Sequence, residues 1–230
     1  MKFFALICAR GGSKGIKNKN LINFKGMPLI AHSILIAKKL KKCSYVVVST
    51  DSKKIGKVAS NFGADIIIDR PSNLANDNSP EVLTWKHAIT FLNKHHNFKS
   101  DFLISVPTTS PLRDYSDLRN SIIKFKKEKC DGLITITKSK KNPFFNMVKK
   151  EKNKFLKPIF NSSKIVTRRQ SAPKIFDITT VAYVYKSSFI LNNNNNILDG
   201  RISYLEIPQN RAIDIDDMFD LEIAKYFANK

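Results

Sequence analysis

Short apolar runs recur along this chain at intervals that leave room for a helix between neighbours, and this rhythm limits the fold more than any single residue. The runs are Phe3–Cys8, Tyr45–Asp51, Ala64–Asp69, Phe102–Val106, Gly132–Thr137 and Val181–Tyr185, each of strand length. Between them lie stretches with helical spacing. Leu29–Lys42 carries Ile30, Ile34 and Ala37 on one stripe, and Lys53–Phe62 closes at Gly63. Pro80–Leu92 turns Val82, Trp85 and Ile89 to one side, and Asp117–Lys129 does the same with Leu118, Ile122 and Phe125. Phe219–Ala228 reads as a final helix. Strands alternating with helices predict an α/β fold: an open, mostly parallel sheet with helices on both faces and right-handed crossovers. Ligands of such sheets bind beyond the carboxyl ends of the strands.

The first strand delivers its chain into Ala9-Arg10-Gly11-Gly12-Ser13-Lys14-Gly15-Ile16-Lys17-Asn18-Lys19-Asn20. Three glycines within positions 11–15 let the backbone come close to a ligand. Arg10, Lys14, Lys17 and Lys19 lie in and beside that turn. Backbone N–H groups ringed by cations, at the end of a parallel strand, suit phosphate. The loop lacks both Gly-Lys-Ser/Thr at the Walker spacing and Gly-x-Gly-x-x-Gly, so it is neither of those fingerprints. An ordinary strand-to-helix turn in a Lys-rich chain is the plainer alternative. Arg10, Lys14 and Lys19 are the candidates for phosphate charge, and Lys17 reads best as surface.

Charge could point elsewhere, since 40 Lys and Arg against 19 Asp and Glu leave a formal charge of +21. The lysines are scattered in pairs such as Lys38-Lys39 and Lys149-Lys150, without the interleaved aromatics of a base-stacking platform. With five asparagines at 192–196, this reads as a compositional bias toward Lys and Asn. A nucleic-acid partner is therefore not expected, although a basic nucleic-acid-binding protein is the competing reading outside enzymes. No apolar stretch nears the ~18 residues of a membrane span, so no membrane partner is expected either. Cys8, Cys43 and Cys130 are odd in number and widely spaced, and no signal-peptide pattern opens the chain, which points to a reducing cytoplasm.

Past Lys138 the alternation breaks. Residues 140–177 mix charged and apolar side chains as in a β excursion without a core of its own, an expected arm against a partner subunit. Near the end, Asp214 and Asp216 flank Ile215, and two carboxylates two apart on an extended segment share a face. Such a pair, with substrate phosphates, suits Mg²⁺; the alternative is that Asp216 or Asp217 caps the last helix. Arg169 could clamp a carboxylate with its planar fork, or sit at a surface or interface. Thr109 and Ser110 could hydrogen-bond a ligand or cap backbone. His32, His87, His95 and His96 have no metal-binding spacing with the cysteines and are assigned no catalytic role.

These motifs, in order and over nearly the whole chain, resemble the acylneuraminate cytidylyltransferase family. The resemblance is carried by Ala9–Gly15 with Lys19-Asn20, Arg70-Pro71 with Leu74–Asp77, Ser110–Arg113, Arg169-Gln170-x-x-Pro173 and Asp214–Asp216. It implies one Rossmann-like nucleotidyltransferase domain over residues 1–230, with 140–177 as a β-rich dimerisation arm, usually in a homodimer. It also implies CTP and a nine-carbon 2-keto sugar acid as substrates, CMP-sugar and pyrophosphate as products, and Mg²⁺ as cofactor. By the resemblance, Arg10, Ser13, Lys14 and Lys19 contact the triphosphate. Ala9, Gly12, Asn20, Arg70, Ala75 and Asp77 frame the nucleotide; Ser110, Arg169, Gln170 and Tyr183 line the sugar side; Asp214 and Asp216 hold the metal. Arg10, Lys14, Lys19 and Asp216 are the expected catalytic groups. Many members have Gln at Pro107, Asn-Gly at Thr179-Thr180 and Lys near Phe145, while Asn142–Asn146 looks more like the bacterial branch that handles legionaminate-type sugars. Transfer to an eight-carbon sugar acid, or another sugar nucleotidyl transfer, is the alternative within enzymes.

Overall fold

A computed structural model describes residues 1–152, 154–160, 168–192 and 196–229. In chain order the elements are β1 (Phe3–Cys8), β2 (Asn23–Phe24), β3 (Met27–Pro28), α1 (Leu29–Lys38), β4 (Cys43–Thr50), α2 (Lys53–Asn61) and β5 (Ile66–Asp69). Then come α3 (Glu81–His96), β6 (Phe102–Ser105), α4 (Tyr115–Glu128), β7 (Gly132–Lys138), β8 (Val148–Lys150), β9 (Leu156–Pro158), β10 (Phe176–Lys186), α5 (Ser187–Asn192), β11 (Ile202–Glu206) and α6 (Met218–Ala228). Seven strands form one sheet in the order β11-β7-β10-β6-β1-β4-β5. β10 runs antiparallel to both its neighbours; the β1–β4, β4–β5, β1–β6 and β7–β11 pairings are parallel. The Rossmann-like, mostly parallel arrangement expected from the strand-helix rhythm is present.

Both faces are covered, so β1 is a near-continuous apolar run. Phe3, Ala5 and Ile7 point into a core closed by Ile30 and Ile34 of α1, Ile55 of α2 and Leu118 and Phe125 of α4. Phe4 and Leu6 point the other way, into a core closed by Trp85, Ile89 and Leu92 of α3 and Ile190 of α5. Full burial of side chains this large stabilises by about 1.5–3 kcal/mol each, so the two cores fix which way each strand residue faces.

A third, smaller core decides where the site forms. Ile16 from the end of the Gly-rich loop, Phe24, Leu29, Ile215 and Leu221 pack together. Ile215 stands between Asp214 and Asp216, so burying it pins the acidic segment against the loop. Its amide donates to the Thr109 carbonyl at 2.8 Å, tying the same segment to the exit of β6.

Boundaries depart from the sequence reading in ways that local chemistry explains. α1 stops at Lys38 rather than Lys42, since Lys42 adopts a left-handed conformation (φ 65°) that turns the chain into β4. α3 continues past Leu92 to His96, with Lys94, His95 and His96 at its negative end. β11 and α5 carry too little periodicity to be expected. β10 begins at Phe176, inside the expected arm, because its first residues stay exposed and lack a buried-strand signature.

Within the arm, β8 and β9 form a separate antiparallel hairpin whose strand residues are exposed. Phe144 and Phe160 stack with ring centroids 4.7 Å apart. Positions 153 and 161–167 of the arm, and 193–195 of the asparagine run, lie outside the described residues. Among the described residues no helix is long and apolar enough to cross a membrane.

Candidate active site

The strand order reverses at β1, with β4 and β5 on one side and β6 and β10 on the other, and a cavity of about 350 Å³ opens beside its carboxyl end. Its lining includes Cys8 and Arg10 from β1 and its loop, Arg70 after β5, and Asn76, Asp77 and Ser79 beyond it. Glu81 and Thr84 of α3, Pro107–Thr109 after β6, Thr180 of β10, and Asp214 and Asp216 complete it.

The Gly-rich loop is held from behind. The Gly11 amide donates to Asp51 Oδ1 at 2.8 Å. Asn20 is buried; its Nδ2 donates to the Arg10 carbonyl at 2.9 Å and its Oδ1 accepts from Thr108 Oγ1 at 2.6 Å. Asn20 thus supports the loop rather than lining the cavity. A Cβ on Gly15 would lie 2.1 Å from the Asp216 carbonyl oxygen, so only glycine allows the loop and the acidic segment this contact. Ala9 is buried, with its amide on the Ser49 carbonyl, while Gly12 is exposed and Ser13 half-buried in the open part of the turn.

Cations and carboxylates at the rim are paired with one another. Arg10 Nη1 lies 2.5 Å from Asp77 Oδ1, and Lys14 Nζ lies 2.6 Å from Asp77 Oδ2. Hydrogen bonds from Lys14 and then Arg10 hold the Asp77 carboxyl below its usual range. Lys19 Nζ donates to the Ile215 carbonyl at 2.8 Å and to Asp216 Oδ1 at 3.0 Å. Helix capping falls to Asp217, whose Oδ1 accepts from the Asp220 amide while Asp220 returns the bond. The Asp216 carboxylate is therefore not the cap of α6.

Asp214 sits deeper. Burial raises its pKa, and Asp216 adds to this, while hydrogen bonds from Thr109 and Thr180 oppose it. Its Oδ1 is buried without a hydrogen-bond partner. A bulge places Thr180 there: Thr179 pairs with Thr135 but Tyr183 with Ile134, so an extra stretch of β10 is accommodated. Thr135 Oγ1 fastens the bulge, accepting from the Ala182 amide at 3.1 Å and from Thr179 Oγ1 at 2.7 Å. Thr180 Oγ1 then lies 2.6 Å from Ser110 Oγ and 3.2 Å from Thr109 Oγ1. Behind them Arg113 is buried, donating to Ser33 Oγ at 2.8 Å, to the Thr180 carbonyl at 3.1 Å, and to the Pro107 carbonyl. Burial pushes the Arg113 guanidinium down to about 9, against the pull of Asp214 and Asp117.

Arg70 is buried at the opposite wall, with Nε on Ser49 Oγ at 3.2 Å and Nη2 on the Ser49 carbonyl at 2.6 Å. Ala75 follows a single helical turn over Ser72–Leu74 that sets Asn76 and Asp77 at the rim. The sugar-side residues are less gathered. Ser110 is fully buried behind Thr180, and Tyr183 is buried against Trp85, ring centroids 5.9 Å apart. Gln170 is exposed in a short turn outside the cavity lining, and the Arg169 side chain lies outside the described residues. Sequence reasoning missed Glu81, Cys8, Thr84 and Arg113 as contributors. Only the Pro80 helix start and the Arg70 loop stood near enough to draw notice to Glu81.

Among the described residues no group of three or more His, Cys, Asp or Glu is placed to hold a metal. Two carboxylates, one with an unpartnered buried oxygen, fit a hard cation that takes its remaining oxygens from a substrate.

Fold and site define an α/β protein with a cavity, edged by paired cations and carboxylates, at the switch point of its sheet. A family model described as Cytidylyltransferase matches residues 4–220, and the chain belongs to that family of nucleotidyltransferases. It is 32% identical over 220 residues to the post-translational flagellin modification protein B of Campylobacter coli, covering 96% of this chain and 92% of that one. It is 33% identical, with the same coverage, to the CMP-N,N'-diacetyllegionaminic acid synthase of Campylobacter jejuni. The solved CMP:2-keto-3-deoxy-manno-octonic acid synthetase complexed with CTP shares the fold, with a TM-score of 0.71, 16% identity and coverage of 100% of this chain and 99% of that one.

Proposed function

We propose that this enzyme joins CTP to a nine-carbon 2-keto sugar acid of the N-acylneuraminate or legionaminate type, giving the CMP-sugar and pyrophosphate. The observation that carries this is the convergence of the Gly-rich loop with the Asp214–Asp216 segment, seen in the Gly15 contact with the Asp216 backbone and the Lys19–Asp216 pair. The 33% identity to a protein named as a CMP-diacetyllegionaminic acid synthase supports the legionaminate type.

In the reaction the anomeric hydroxyl oxygen of the sugar acid forms a bond to the α-phosphorus of CTP and its proton passes to solvent. The α–β anhydride bond breaks in line with it, and pyrophosphate leaves with the electron pair. Arg10 and Lys14 exchange Asp77 for the triphosphate, and Lys19 steadies the acidic segment it already touches. Catalysis is then chiefly positioning and charge stabilisation. Asp214 and Asp216 would hold Mg²⁺, which when bound neutralises phosphate charge and can lower the pKa of a coordinated hydroxyl.

The arm at 140–177 would make a homodimer, supported by exposed Val148, Leu156 and Phe160. Three unbridged cysteines fit work in the cytoplasm. The test is pyrophosphate release with CTP, Mg²⁺ and a panel of sialic, legionaminic, pseudaminic and eight-carbon acids. Release with a nine-carbon acid is expected; release only with the eight-carbon acid, or with none, overturns the assignment.

A further inference from the structure

The cavity contains one acidic side chain that the mechanism above does not use. Glu81 opens α3 and lines the cavity wall beside Cys8, Arg70 and Thr84. Trp85, one turn further along α3, donates its Nε1–H to Glu81 Oε1 at 3.3 Å and so restrains the carboxylate. Glu81 keeps accessible surface while Trp85 beneath it is buried, as expected of a group resting on the core and presented to a cavity. Arg70 is restrained in its turn, with two of its nitrogens on Ser49. Glu81 and Arg70 feel one another's charge, yet no ion pair joins them among the described residues. This part of the cavity therefore offers an acceptor-only group and a donor-only group, both held.

The rest of the cavity says what should lie between them. In the proposed reaction Arg10 and Lys14, now paired with Asp77, take the phosphates, and the cavity-lining Asp214 and Asp216 take the metal. A nucleotide anchored there by its phosphates has the region of Cys8, Arg70, Glu81 and Thr84 left for its base. Cytosine presents an exocyclic amino donor with two acceptors, at N3 and O2. Uracil presents an oxygen where the amino group was and a donor at N3.

Resting on the cytidylyltransferase reading, we propose that Glu81 selects cytosine over uracil, its carboxylate accepting from the amino group of the base while Arg70 donates to the ring acceptors. A carboxylate is the natural acceptor for that amino group. With uracil, two oxygens would face each other inside the cavity, and the unmet polar contact would penalise binding. A merely structural role, favouring the positive end of α3, would leave base preference untouched.

The experiment is calorimetric binding of CTP and UTP, with Mg²⁺ and without sugar acid, to the wild type and to Glu81→Gln and Glu81→Ala, with melting curves for all three. The wild type should prefer CTP. Glu81→Gln should lower the CTP-to-UTP affinity ratio by about 10- to 100-fold, because an amide can turn its NH₂ toward the uracil oxygen. Glu81→Ala should weaken CTP without the gain for UTP. A wild type that binds CTP while Glu81→Gln keeps its ratio overturns the role of Glu81 alone, as does a wild type that binds both equally. A wild type that binds neither nucleotide overturns the functional reading itself. Should the alanine variant unfold, the near-isosteric glutamine carries the test.

Discussion

Two clusters of charge share this cavity and are built on opposite principles. At the rim, Arg10, Lys14 and Asp77 are paired near solvent, and Lys19 reaches out to an Asp216 carboxylate that is 76% exposed. Behind them, Arg113 and Ser110 are buried and tie into Thr109, Thr180 and Asp214 at the half-buried cavity wall. Water screens the rim pairs, so a phosphate can displace one partner at little cost. The inner network has no such freedom, because removing one member strands the others in a low-dielectric interior. Rim groups that can change partners stay wet, and the buried Arg113 and Ser110 behind the wall hold geometry.

Substitutions can break this contrast. The largest effect is expected for Asp216→Asn, a rim residue assigned to the metal. Turnover should fall by roughly 100- to 1,000-fold, about 3–4 kcal/mol of barrier, with the melting curve unmoved. Unchanged turnover in a steady-state assay would remove Asp216 from the mechanism. Arg113→Ala strikes the inner network and should do the reverse of a rim change. Loss of about 3 kcal/mol or more of stability is expected, a Tm drop on the order of 10 °C. A variant melting like the wild type would show that the buried guanidinium is not what holds Pro107 and Thr180.

Lys14→Ala should raise the KM for CTP roughly tenfold while Tm stays where it was. Initial rates across CTP concentrations check this, and a Tm that falls with KM would blur the line between rim and interior. The smallest effect is expected for Thr180→Val, which removes one hydroxyl from the network and keeps the shape. Stability should drop by about 1 kcal/mol, or a Tm shift of about 2–4 °C. No shift in calorimetry would mean that the bulge, rather than its hydroxyl, organises that wall.

Much of this architecture was legible before any coordinates. Phe3–Cys8 and Phe102–Val106 read as buried strands because both faces of each are covered, which leaves continuous apolar runs. Ile202–Glu206 did not, since an edge strand alternates burial and carries Tyr204 exposed. At the site, the cations interleaved with glycines and the Asp-Ile-Asp spacing announced themselves as local patterns. Glu81 did not, because nothing beside it in the chain distinguishes it from any helix-start glutamate, and Arg113 entered only as the end of the Ser110–Arg113 motif, without a role.

From the amino-acid order alone come the α/β alternation, the flexible cationic turn after β1 and the paired acids near the end, since each depends on residues within a few positions of one another. Tertiary structure alone decided that turn and acids meet, through Ile16 and Ile215 sharing one small core and a glycine thin enough to lie against the Asp216 backbone. It also decided which aspartate caps α6 and which faces the cavity. The physical reason is separation: these contacts join positions some 200 residues apart, and only burial of apolar surface by the whole fold brings them together.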